Sequence, residues 1–213
     1  MKTLVIGANG LTGKRLVRQL MDSDHMPVAM IRDTGQRAYF DSIGVPTVLA
    51  DLEYPIDHAV RGCEAVVFAA GSGSATGKDK TVLVDQLGAI RSMVAAEVNG
   101  VTRYVMLSTT NADINSQSRI AHYHRAKGHA DNHLMGSSLS WTVVCPGRLL
   151  EDAGTGLISI DTEPFAQGTT SRDNLASVLA RSLDLDQTIG ARFNLFEGDT
   201  DIDSALGAIG AGE

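Results

Sequence analysis

The stretch TLVIGANGLTGKRLVRQL, residues 3–20, joins an apolar run to a helical repeat through a turn that contains three glycines. The run before Gly7 is apolar on successive residues, which is typical of a strand buried on both faces. Gly7 permits a tight turn, Gly10 lets the backbone approach a ligand, and Gly13 lets the helix pack closely on the sheet. The stretch therefore predicts a strand, a glycine turn and a helix in immediate succession.

The same turn indicates a site for the phosphates of a dinucleotide. The N-terminus of the following helix offers backbone amide donors and a partial positive charge to an anion. A glycine pattern alone is weak evidence, and a purely structural turn is the alternative, but here the required strand and helix flank the pattern. We expect the turn to bind the dinucleotide through Gly7, Asn9, Gly10, Leu11, Thr12 and Gly13.

The rest of the chain alternates short apolar runs with longer amphipathic stretches. The runs, rich in valine, isoleucine and leucine, are VAMIR, TVLA, AVVFAA, RYVMLS, WTVVCP and RFNLFE. Helical spacing is clear in residues 11–21, 80–99, about 119–136 and 171–185. This alternation predicts an α/β fold built on a doubly wound parallel sheet.

Two connecting segments and the C-terminal third complete the organisation. Residues 33–44 are polar enough to be a short helix or a loop. GSGSATGKDK, residues 71–80, is expected to be a mobile loop at the carboxyl end of the sheet, where ligands of such folds bind, with a plain connector as the alternative. The 213 residues fit one domain, residues 1–213, in which we expect residues 149–213 to form a small cap on the substrate side. The tail ALGAIGAGE is expected to be a short last helix that frays.

The composition argues against several classes of function. The formal net charge is −7 and no lysine- or arginine-rich run occurs, which argues against nucleic acid as the main partner. No apolar run approaches the roughly 18 residues of a membrane span. Cys63 and Cys145 lie in or beside apolar runs, which favours buried, reduced thiols. We expect a cytoplasmic protein that binds a small molecule, as a monomer or a homodimer.

The G-x-x-G-x-x-G spacing of residues 7–13 resembles that of the short-chain dehydrogenase/reductase superfamily. The resemblance is strongest to its atypical NAD(P)-binding branch, which is related to NmrA-like proteins and to NAD-dependent epimerase/dehydratase proteins. It covers about residues 1–150 well and the remainder more loosely. It implies a Rossmann fold and a nicotinamide cofactor.

The second strand indicates which nicotinamide cofactor the resemblance implies. An acidic residue at the end of that strand binds the ribose hydroxyls of NAD, whereas a basic residue accommodates the 2′-phosphate of NADP. Arg32 occupies this position, and Arg37, one helical turn further on, could close the other side of the phosphate. Asp33 would repel a phosphate if it pointed inward. We therefore expect NADP, with NAD as the alternative.

Two further turns match the cofactor side of the family. Asp51 and Leu52 correspond to the position where an aspartate reads the adenine amino group and its neighbour packs on the ring. For Asp51, an N-cap role in the next turn is the alternative. Ala69, Ala70 and Gly71 follow the fourth predicted strand and are small enough to let the backbone pass close to a ribose.

YHRAK, residues 123–127, places a tyrosine and a lysine on one face of a predicted helix. The spacing alone is common, but its position between the fifth and sixth strands matches the Tyr-x-x-x-Lys motif of the superfamily. There the lysine lowers the tyrosine pKa and bonds the nicotinamide ribose, while the tyrosine exchanges a proton with the substrate oxygen. The resemblance thus implies that Tyr123 is the acid/base and Lys127 the orienting cation.

A hydroxyl that polarises the same substrate oxygen is expected just beyond the fifth strand. The candidates are Ser108, Thr109 and Thr110, where the family most often has serine at the positions that are threonine here. We assign polarisation to Thr109 and contact with the nicotinamide ribose to Ser108. The alternative is that these hydroxyls only satisfy backbone groups at a strand end.

CPGRLL, residues 145–150, resembles the family segment that passes beside the nicotinamide. Pro146 lacks an amide hydrogen and stiffens this turn, so we expect it at the cofactor. Arg148 points toward the expected substrate space. It would bind an anionic substrate or form a salt bridge with Glu151 or Asp152.

A cluster of histidines occupies the helix that carries YHRAK. The four are His122, His124, His129 and His133, of which the last two share a helical face. Zinc would need a third ligand and usually a nearby general base, and the chain has no H-E-x-x-H motif. We expect no metal and interpret these histidines as solvated or substrate-side residues.

These features favour an NADP(H)-dependent oxidoreductase that transfers a hydride to or from a small carbonyl or hydroxyl compound. One alternative is an NmrA-like sensor that binds the dinucleotide without turnover. Another is a small epimerase or dehydratase. The Tyr-x-x-x-Lys pair favours an enzyme, because a sensor has no need of it.

Overall fold

The structure is a computed structural model that describes residues 1–73 and 76–210. Ser74 and Ala75, within the segment predicted to be a mobile loop, lie outside the described residues, as do residues 211–213 of the predicted fraying tail. In the described part of the chain, no helix is both long and apolar enough to cross a membrane.

A nine-stranded sheet forms the centre of the fold, and a separate pair of strands lies beside it. In chain order the strands are β1 (Lys2–Ile6), β2 (Met26–Ile31), β3 (Thr47–Leu49), β4 (Ala65–Phe68), β5 (Arg103–Leu107), β6 (Ser140–Pro146), β7 (Arg148–Leu150), β8 (Leu157–Asp161), β9 (Thr169–Ser171), β10 (Ala191–Glu197) and β11 (Thr200–Asp201).

The order of strands in the large sheet is β3-β2-β1-β4-β5-β6-β10-β8-β11. All strand pairs from β3 to β10 are parallel, and the strand order reverses between β1 and β4. Such a reversal opens a crevice at the carboxyl ends of the strands, where ligands of doubly wound sheets bind. The predicted α/β fold is therefore confirmed.

The C-terminal third extends this sheet at one edge. β8 pairs antiparallel with both β10 and β11, a direction that hydrophobic patterning does not report. β7 and β9 form the separate two-stranded parallel pair. Residues 149–213 thus contribute both to the main sheet and to the small pair beside its carboxyl edge.

Helices cover both faces of the sheet. They are α1 (Leu11–Met21), α2 (Arg37–Ser42), α3 (Asp57–Val60), α4 (Lys78–Lys80), α5 (Ala89–Val98), α6 (Ala121–Met135), α7 (Arg172–Arg181) and α8 (Ile202–Gly207). The segment predicted as a short helix or loop is helical, because a 3-10 turn at Thr34–Gln36 leads into α2. Between α4 and α5 the chain continues as a π-helical segment, Thr81–Gly88.

Two apolar layers hold the helices on the sheet. In β1, Val5 faces the layer that includes Leu16 of α1 and Leu179 of α7, whereas Leu4 faces the layer that includes Met93 of α5. This alternation explains why the strand is apolar at every position, since both of its faces are covered. Burying each such side chain contributes about 1.5–3 kcal/mol. The glycine turn is thereby fixed at the end of a fully buried strand.

Candidate functional site

The glycine turn is tightly packed against the end of β4. Gly7 has a φ of 82°, in the left-handed region, and a Cβ there would lie 2.6 Å from the backbone nitrogen of Ala70. A Cβ on Gly13 would overlap the carbonyl oxygen of Gly7. Only glycine fits at these two positions, so the sequence dictates this sharp passage from β1 into α1.

The N-terminus of α1 forms part of a cavity wall. Gly10 is the N-cap residue, and among the described residues no side chain accepts a hydrogen bond from the first turn. The N–H groups at the start of a helix have no acceptor within the helix. Gly10, Leu11 and Thr12 line the cavity, and the first turn holds no acidic residue. Free donors and the positive end of the helix dipole make this a suitable site for phosphate.

Two cavities adjoin along the carboxyl edge of the sheet. The larger has a volume of about 690 Å³ and the smaller about 260 Å³. Both are lined by Gly10 and by the segment that follows β4, Ala69 to Ser72. The two cavities therefore meet at the glycine turn, where an extended ligand would pass from one to the other.

The smaller cavity contains most residues that were predicted to hold the adenine end of a dinucleotide. Its lining includes Gly7, Asn9, Arg32, Asp51 and Leu52. Each lies within a few residues of the carboxyl end of β1, β2 or β3, because parallel strands bring these ends to one edge. The structure therefore brings these predicted residues together.

The region after β2 separates the two predicted arginines. Arg32 lines the smaller cavity, and its backbone N–H donates to Oε1 of Gln36, which also lines it. Arg37 is exposed at the start of α2 and is not among the lining residues. Asp33 accepts a hydrogen bond from the Gly35 N–H at 2.7 Å, so its carboxylate is engaged by its own turn.

Asp51 lies at the wall of the smaller cavity and is engaged by its own turn, not by a helix N-terminus. It lines the smaller cavity, and its Oδ1 accepts a hydrogen bond from the Glu53 N–H at 3.0 Å, which stabilises the turn after β3. Leu52 is buried, and its carbonyl oxygen accepts a 2.6 Å hydrogen bond from Nη1 of Arg91. The turn is thus held in place from both sides at the cavity wall.

Tyr123 and Lys127 project from α6 into the wall of the larger cavity. The side chain of Lys127 is buried, with 2% of the residue exposed, and its Nζ donates to the carbonyl oxygen of Leu107 at 2.7 Å. This bond ties α6 to the end of β5. The ammonium group also lies 5.6 Å from the centre of the Phe68 ring. The predicted pair therefore lies in one cavity with the glycine turn.

The expected lowering of the Tyr123 pKa is wrong. Burial raises the pKa of the Tyr123 phenol, and the carboxylates of Asp85 and Asp131 and the thiol of Cys145 raise it further. Removing water from around the phenolate and placing negative charges near it both favour the protonated form. Lys127 does not offset these effects. The phenol is therefore held in its protonated form at neutral pH.

The three candidate hydroxyls have different surroundings. Oγ of Ser108 donates to Oδ2 of Asp131 at 2.7 Å, so its hydrogen is committed to that carboxylate. Thr109 lines the larger cavity. Thr110 is buried, accepts a hydrogen bond from the Asn111 side chain and is not a lining residue. Of the three, Thr109 is the hydroxyl best placed to donate into the cavity.

The segment after β6 meets only part of the expectation. Pro146 lines the larger cavity, whereas Arg148 is exposed and is not a lining residue. The alternative salt bridge of Arg148 with Glu151 or Asp152 is also absent from the described contacts, in which Glu151 pairs with Arg15 and Arg172. Arg15 and Arg172 are 136 and 21 residues away from Glu151 in the chain, so the local sequence gave no indication of these salt bridges.

Three charged residues at the site were not found from the sequence. Asp85 lies in the π-helical segment, is 1% exposed, lines the larger cavity and accepts a 3.0 Å hydrogen bond from the Ser72 N–H. Arg172 lines the same cavity from the start of α7. π-Helical insertions are frequent at functional sites. A carboxylate and a guanidinium therefore join the predicted residues in the larger cavity.

The third residue, Asp131, lies behind the cavity wall. Besides the bond from Ser108, its Oδ2 lies 3.5 Å from Nε of Arg192 on β10, while its buried Oδ1 has no hydrogen-bond partner in the described residues. Burial raises the pKa of the Asp131 carboxyl, although Ser108, Lys127 and Arg192 oppose the rise. Asp131 thus holds Ser108 in a fixed orientation.

The histidines of α6 divide between the cavity and the surface. His122 lines the larger cavity. His124 forms a 2.9 Å hydrogen bond between its Nδ1 and the Ser118 hydroxyl. Burial lowers the pKa of His124. His129 and His133 are exposed. Only His122 is therefore in a position to contact a ligand in the cavity.

Known proteins resemble this chain over most of its length. A family described as NAD(P)H-binding matches residues 7–186, a range that runs from Gly7 of the turn past Arg172. YhfK of Bacillus subtilis, described as an uncharacterized sugar epimerase, is 41% identical over 212 residues, covering 97% of this chain and 99% of that protein.

Solved structures show the same fold. One from Bacillus halodurans, described as a candidate NAD-dependent epimerase/dehydratase, is 38% identical with a TM-score of 0.92, over 97% of this chain and 98% of that one. The oxidoreductase ylbE of Lactococcus lactis is 27% identical with a TM-score of 0.85, over 98% and 96% of the two chains.

Proposed function

The chain belongs to the NAD(P)H-binding family, and on that premise we propose that it is an NADPH-dependent oxidoreductase acting on a small carbonyl or hydroxyl compound. One observation carries this proposal. Tyr123, Lys127 and Thr109 line the same cavity as the N-terminus of α1. A proton donor, a buried cation and a hydroxyl thus surround the space that adjoins the phosphate site, as carbonyl reduction requires.

The residues present fit a dinucleotide along the two cavities. Its adenine end would lie in the smaller cavity, against Arg32, Asp51 and Leu52. Its diphosphate would lie at the start of α1, and its nicotinamide end in the larger cavity, near Lys127 and Pro146. The bound cofactor supplies the hydride.

The side chains of the larger cavity divide the remaining work. Because the pKa of Tyr123 is raised, its phenol acts as an acid that donates a proton to the substrate oxygen during reduction. Thr109 donates a hydrogen bond to the same oxygen. The Ser108 hydrogen is engaged by Asp131, which leaves the Ser108 lone pairs to accept from a ribose hydroxyl. The raised pKa keeps the phenol protonated, which is the form that donates the proton in reduction.

The choice of NADPH over NADH rests on the end of β2. Arg32 lines the smaller cavity, and a guanidinium binds phosphate through two parallel hydrogen bonds. The Asp33 carboxylate accepts from the Gly35 N–H and is not a lining residue, which reduces its repulsion of a 2′-phosphate. Arg37 plays no part in this proposal.

Cofactor binding is tested first and turnover second. Purified protein is titrated with NADPH and NADH, and quinones, flavins, aldehydes and ketones are then screened for oxidation of the bound cofactor. We expect Tyr123→Phe to lower the turnover number by about 10²–10⁴-fold while NADPH affinity is retained. Tyr54→Phe, at a tyrosine that is 67% exposed, is the control. Full turnover by Tyr123→Phe would refute the proton-transfer role.

A small epimerase or dehydratase is the second candidate, and Asp85 is the observation that favours it. Its buried carboxylate lines the same cavity as Tyr123 and is close enough to influence the phenol pKa. Such reactions need a second acid/base group for a carbon-bound proton, beside the group that handles the oxygen. An Asp85–Tyr123 pair would supply both.

The two candidates differ in the fate of the cofactor. The oxidoreductase consumes NADPH in proportion to product, whereas an epimerase or dehydratase changes its substrate with no net NADPH oxidation. Product analysis by NMR beside absorbance at the NADPH band separates them. Tight NADPH binding with no turnover of any kind would instead favour the dinucleotide sensor.

A further inference from the structure

Arg172 occupies an unusual place for a residue so far along the chain. It is the first residue of α7 and lies at the wall of the larger cavity, beside Gly10, Leu11 and Thr12. Its Nη1 donates to Oγ1 of Thr12 at 3.1 Å. The C-terminal part of the chain thus places a guanidinium in contact with the first turn of α1, where the phosphates are proposed to bind.

That guanidinium is paired with an exposed carboxylate. Nε of Arg172 donates to Oε1 of Glu151 at 2.6 Å, and Oε2 of the same carboxylate accepts from Nη2 of Arg15 at 3.2 Å. The side chain of Glu151 is 58% exposed, and the bond from Arg172 is the main reason that the Glu151 pKa is lowered. An anionic group therefore already bridges two arginines beside the helix N-terminus.

A diphosphate would compete with this carboxylate for Arg172. It carries more negative charge and more acceptor oxygens than one carboxylate, and guanidinium groups bind phosphate in a bidentate manner. The Glu151 side chain can leave Arg172 without loosening the segment that follows it, because other residues anchor the backbone of that segment. The Gly154 N–H donates to Asp173 at 3.2 Å, and the Gly156 N–H donates to Asn174 at 2.9 Å.

We propose that Arg172 is a ligand of the cofactor diphosphate and that Glu151 is the anion that this diphosphate displaces. The inference rests on the proposed function, since it assumes that a dinucleotide binds at α1. It adds a binding residue from outside the glycine turn, and a competing group that limits affinity. Arg15 keeps its second partner, Asp173, at 2.7 Å, and so remains in place when Glu151 leaves.

Equilibrium binding of NADPH, measured by its fluorescence, tests both halves of this inference. Arg172→Gln is expected to raise the dissociation constant at least about tenfold, as for the loss of one strong charge-assisted hydrogen bond. Arg172→Lys should recover part of the loss. Glu151→Gln should lower the dissociation constant by about threefold, because an exposed ion pair no longer competes. In the Arg172→Gln background, Glu151→Gln should have no effect.

Matched variants control for net charge. Arg148→Gln removes a positive charge from the neighbouring β7, and Asp152→Asn removes a negative charge next to Glu151; both residues are exposed. Both controls should leave the dissociation constant within about twofold of wild type, as for an exposed charge that makes no specific contact. If they reproduce the effects of Arg172→Gln and Glu151→Gln, the inference is overturned, because the affinity for NADPH would then depend only on the net charge of the protein.

Adenosine 2′-monophosphate, used as a competitor of NADPH, locates the effect along the cofactor. It lacks the diphosphate, so Arg172→Gln should leave its dissociation constant unchanged. If Arg172→Gln lowered the affinity for this ligand and for NADPH equally, the assignment of Arg172 to the diphosphate would be overturned. Weaker NADPH binding by Glu151→Gln would overturn the assignment of Glu151 as the competing anion. If the wild-type protein binds neither ligand while its thermal unfolding is cooperative, the proposed function itself fails.

Discussion

The two cavities are built in different ways. In the smaller cavity, Arg32 and Asp51 lie at strand ends, and Arg32 is exposed to solvent. In the larger cavity, Asp85 and Lys127 are carried by helical segments and are 1% and 2% exposed. Charges that face water are screened, whereas buried charges interact strongly with one another. Substitutions should therefore have large effects on chemistry and stability in the larger cavity, and modest effects on cofactor affinity in the smaller.

The largest effect is expected at Lys127. Lys127→Met keeps the length of the side chain but removes the buried ammonium and its 2.7 Å hydrogen bond to the Leu107 carbonyl. We expect turnover to fall about 100-fold or more, because the cofactor and Tyr123 lose the cation that orients them. NADPH affinity should fall as well, which distinguishes this variant from Tyr123→Phe. Steady-state kinetics and NADPH titration measure the two effects.

Lys2→Met is the control for that variant, because Lys2 lies at the opposite end of β1 from the glycine turn. It should leave both quantities unchanged. If Lys127→Met retained wild-type turnover, the larger cavity would be no more sensitive than the smaller one, and the contrast between the two would be lost.

Asp131 gives the next effect, which is measured on stability. Its carboxyl has a pKa raised above the ordinary 3.8, so folding favours its protonated form. Its contribution to stability is thus fully present below the unfolded-state pKa and is lost as the pH rises through the folded-state pKa. Asp131→Asn removes this titration. The unfolding free energy of wild type minus that of the variant should fall with rising pH, by about 1.4 kcal/mol for a pKa difference of one.

Urea denaturation of both proteins from pH 4 to pH 9 measures this difference. Asp41→Asn, at an exposed carboxylate on α2, is the control and should show no such trend. A difference that increases with pH would mean that Arg192 and Lys127 outweigh the cost of burying the Asp131 charge.

Asp85 should change the pH dependence of the reaction. Its carboxylate is one reason that the Tyr123 pKa is raised, after burial. Removing this negative charge with Asp85→Asn lowers the phenol pKa, so reduction, which needs the protonated phenol, should lose rate at a lower pH. We expect the alkaline limb of turnover against pH to move to lower pH. Asp79→Asn, an exposed carboxylate in α4, should leave the limb in place.

Sequence patterns predicted the sheet, its covering helices and most of the smaller cavity, because those residues lie next to apolar runs that fix the strand ends. They also placed Tyr123 and Lys127 on one face of α6. Asp131 follows Lys127 by four residues and therefore lies on the same face, one turn further on. The sequence did not single it out, because an acidic residue in a polar helix is more often solvated. The contact of Ser108 with Asp131 could only be seen in three dimensions.

The other missed residues depended on packing. Asp85 lies four residues after Thr81 and three before Gly88, and all three are buried in the π-helical segment. Small residues along that face were a signal of close packing, but not of a cavity. Arg172, at the start of α7, donates a hydrogen bond to Thr12, which is 160 residues away in the chain. No local pattern reports such a contact, nor the antiparallel direction of β8.

The smallest effect is expected at the solvent-exposed end of the smaller cavity. Arg32→Ala should raise the dissociation constant of NADPH by about five- to tenfold, because one arginine–phosphate contact is lost in a screened environment. The dissociation constant of NADH should change little, since NADH has no 2′-phosphate. Turnover at saturating NADPH should stay the same, because Arg32 lines only the smaller cavity.

Arg37→Ala is the matched control, as Arg37 lies five residues further along but outside the cavity lining. It should leave both dissociation constants unchanged, which contradicts the sequence-based expectation that Arg37 closes the phosphate site. Because exposed charges act over about 8–10 Å at ordinary salt, raising the salt concentration should shrink the Arg32→Ala effect further. Equal losses of NADPH and NADH binding in Arg32→Ala would mean that Arg32 supports the turn through Gln36 and does not select the cofactor.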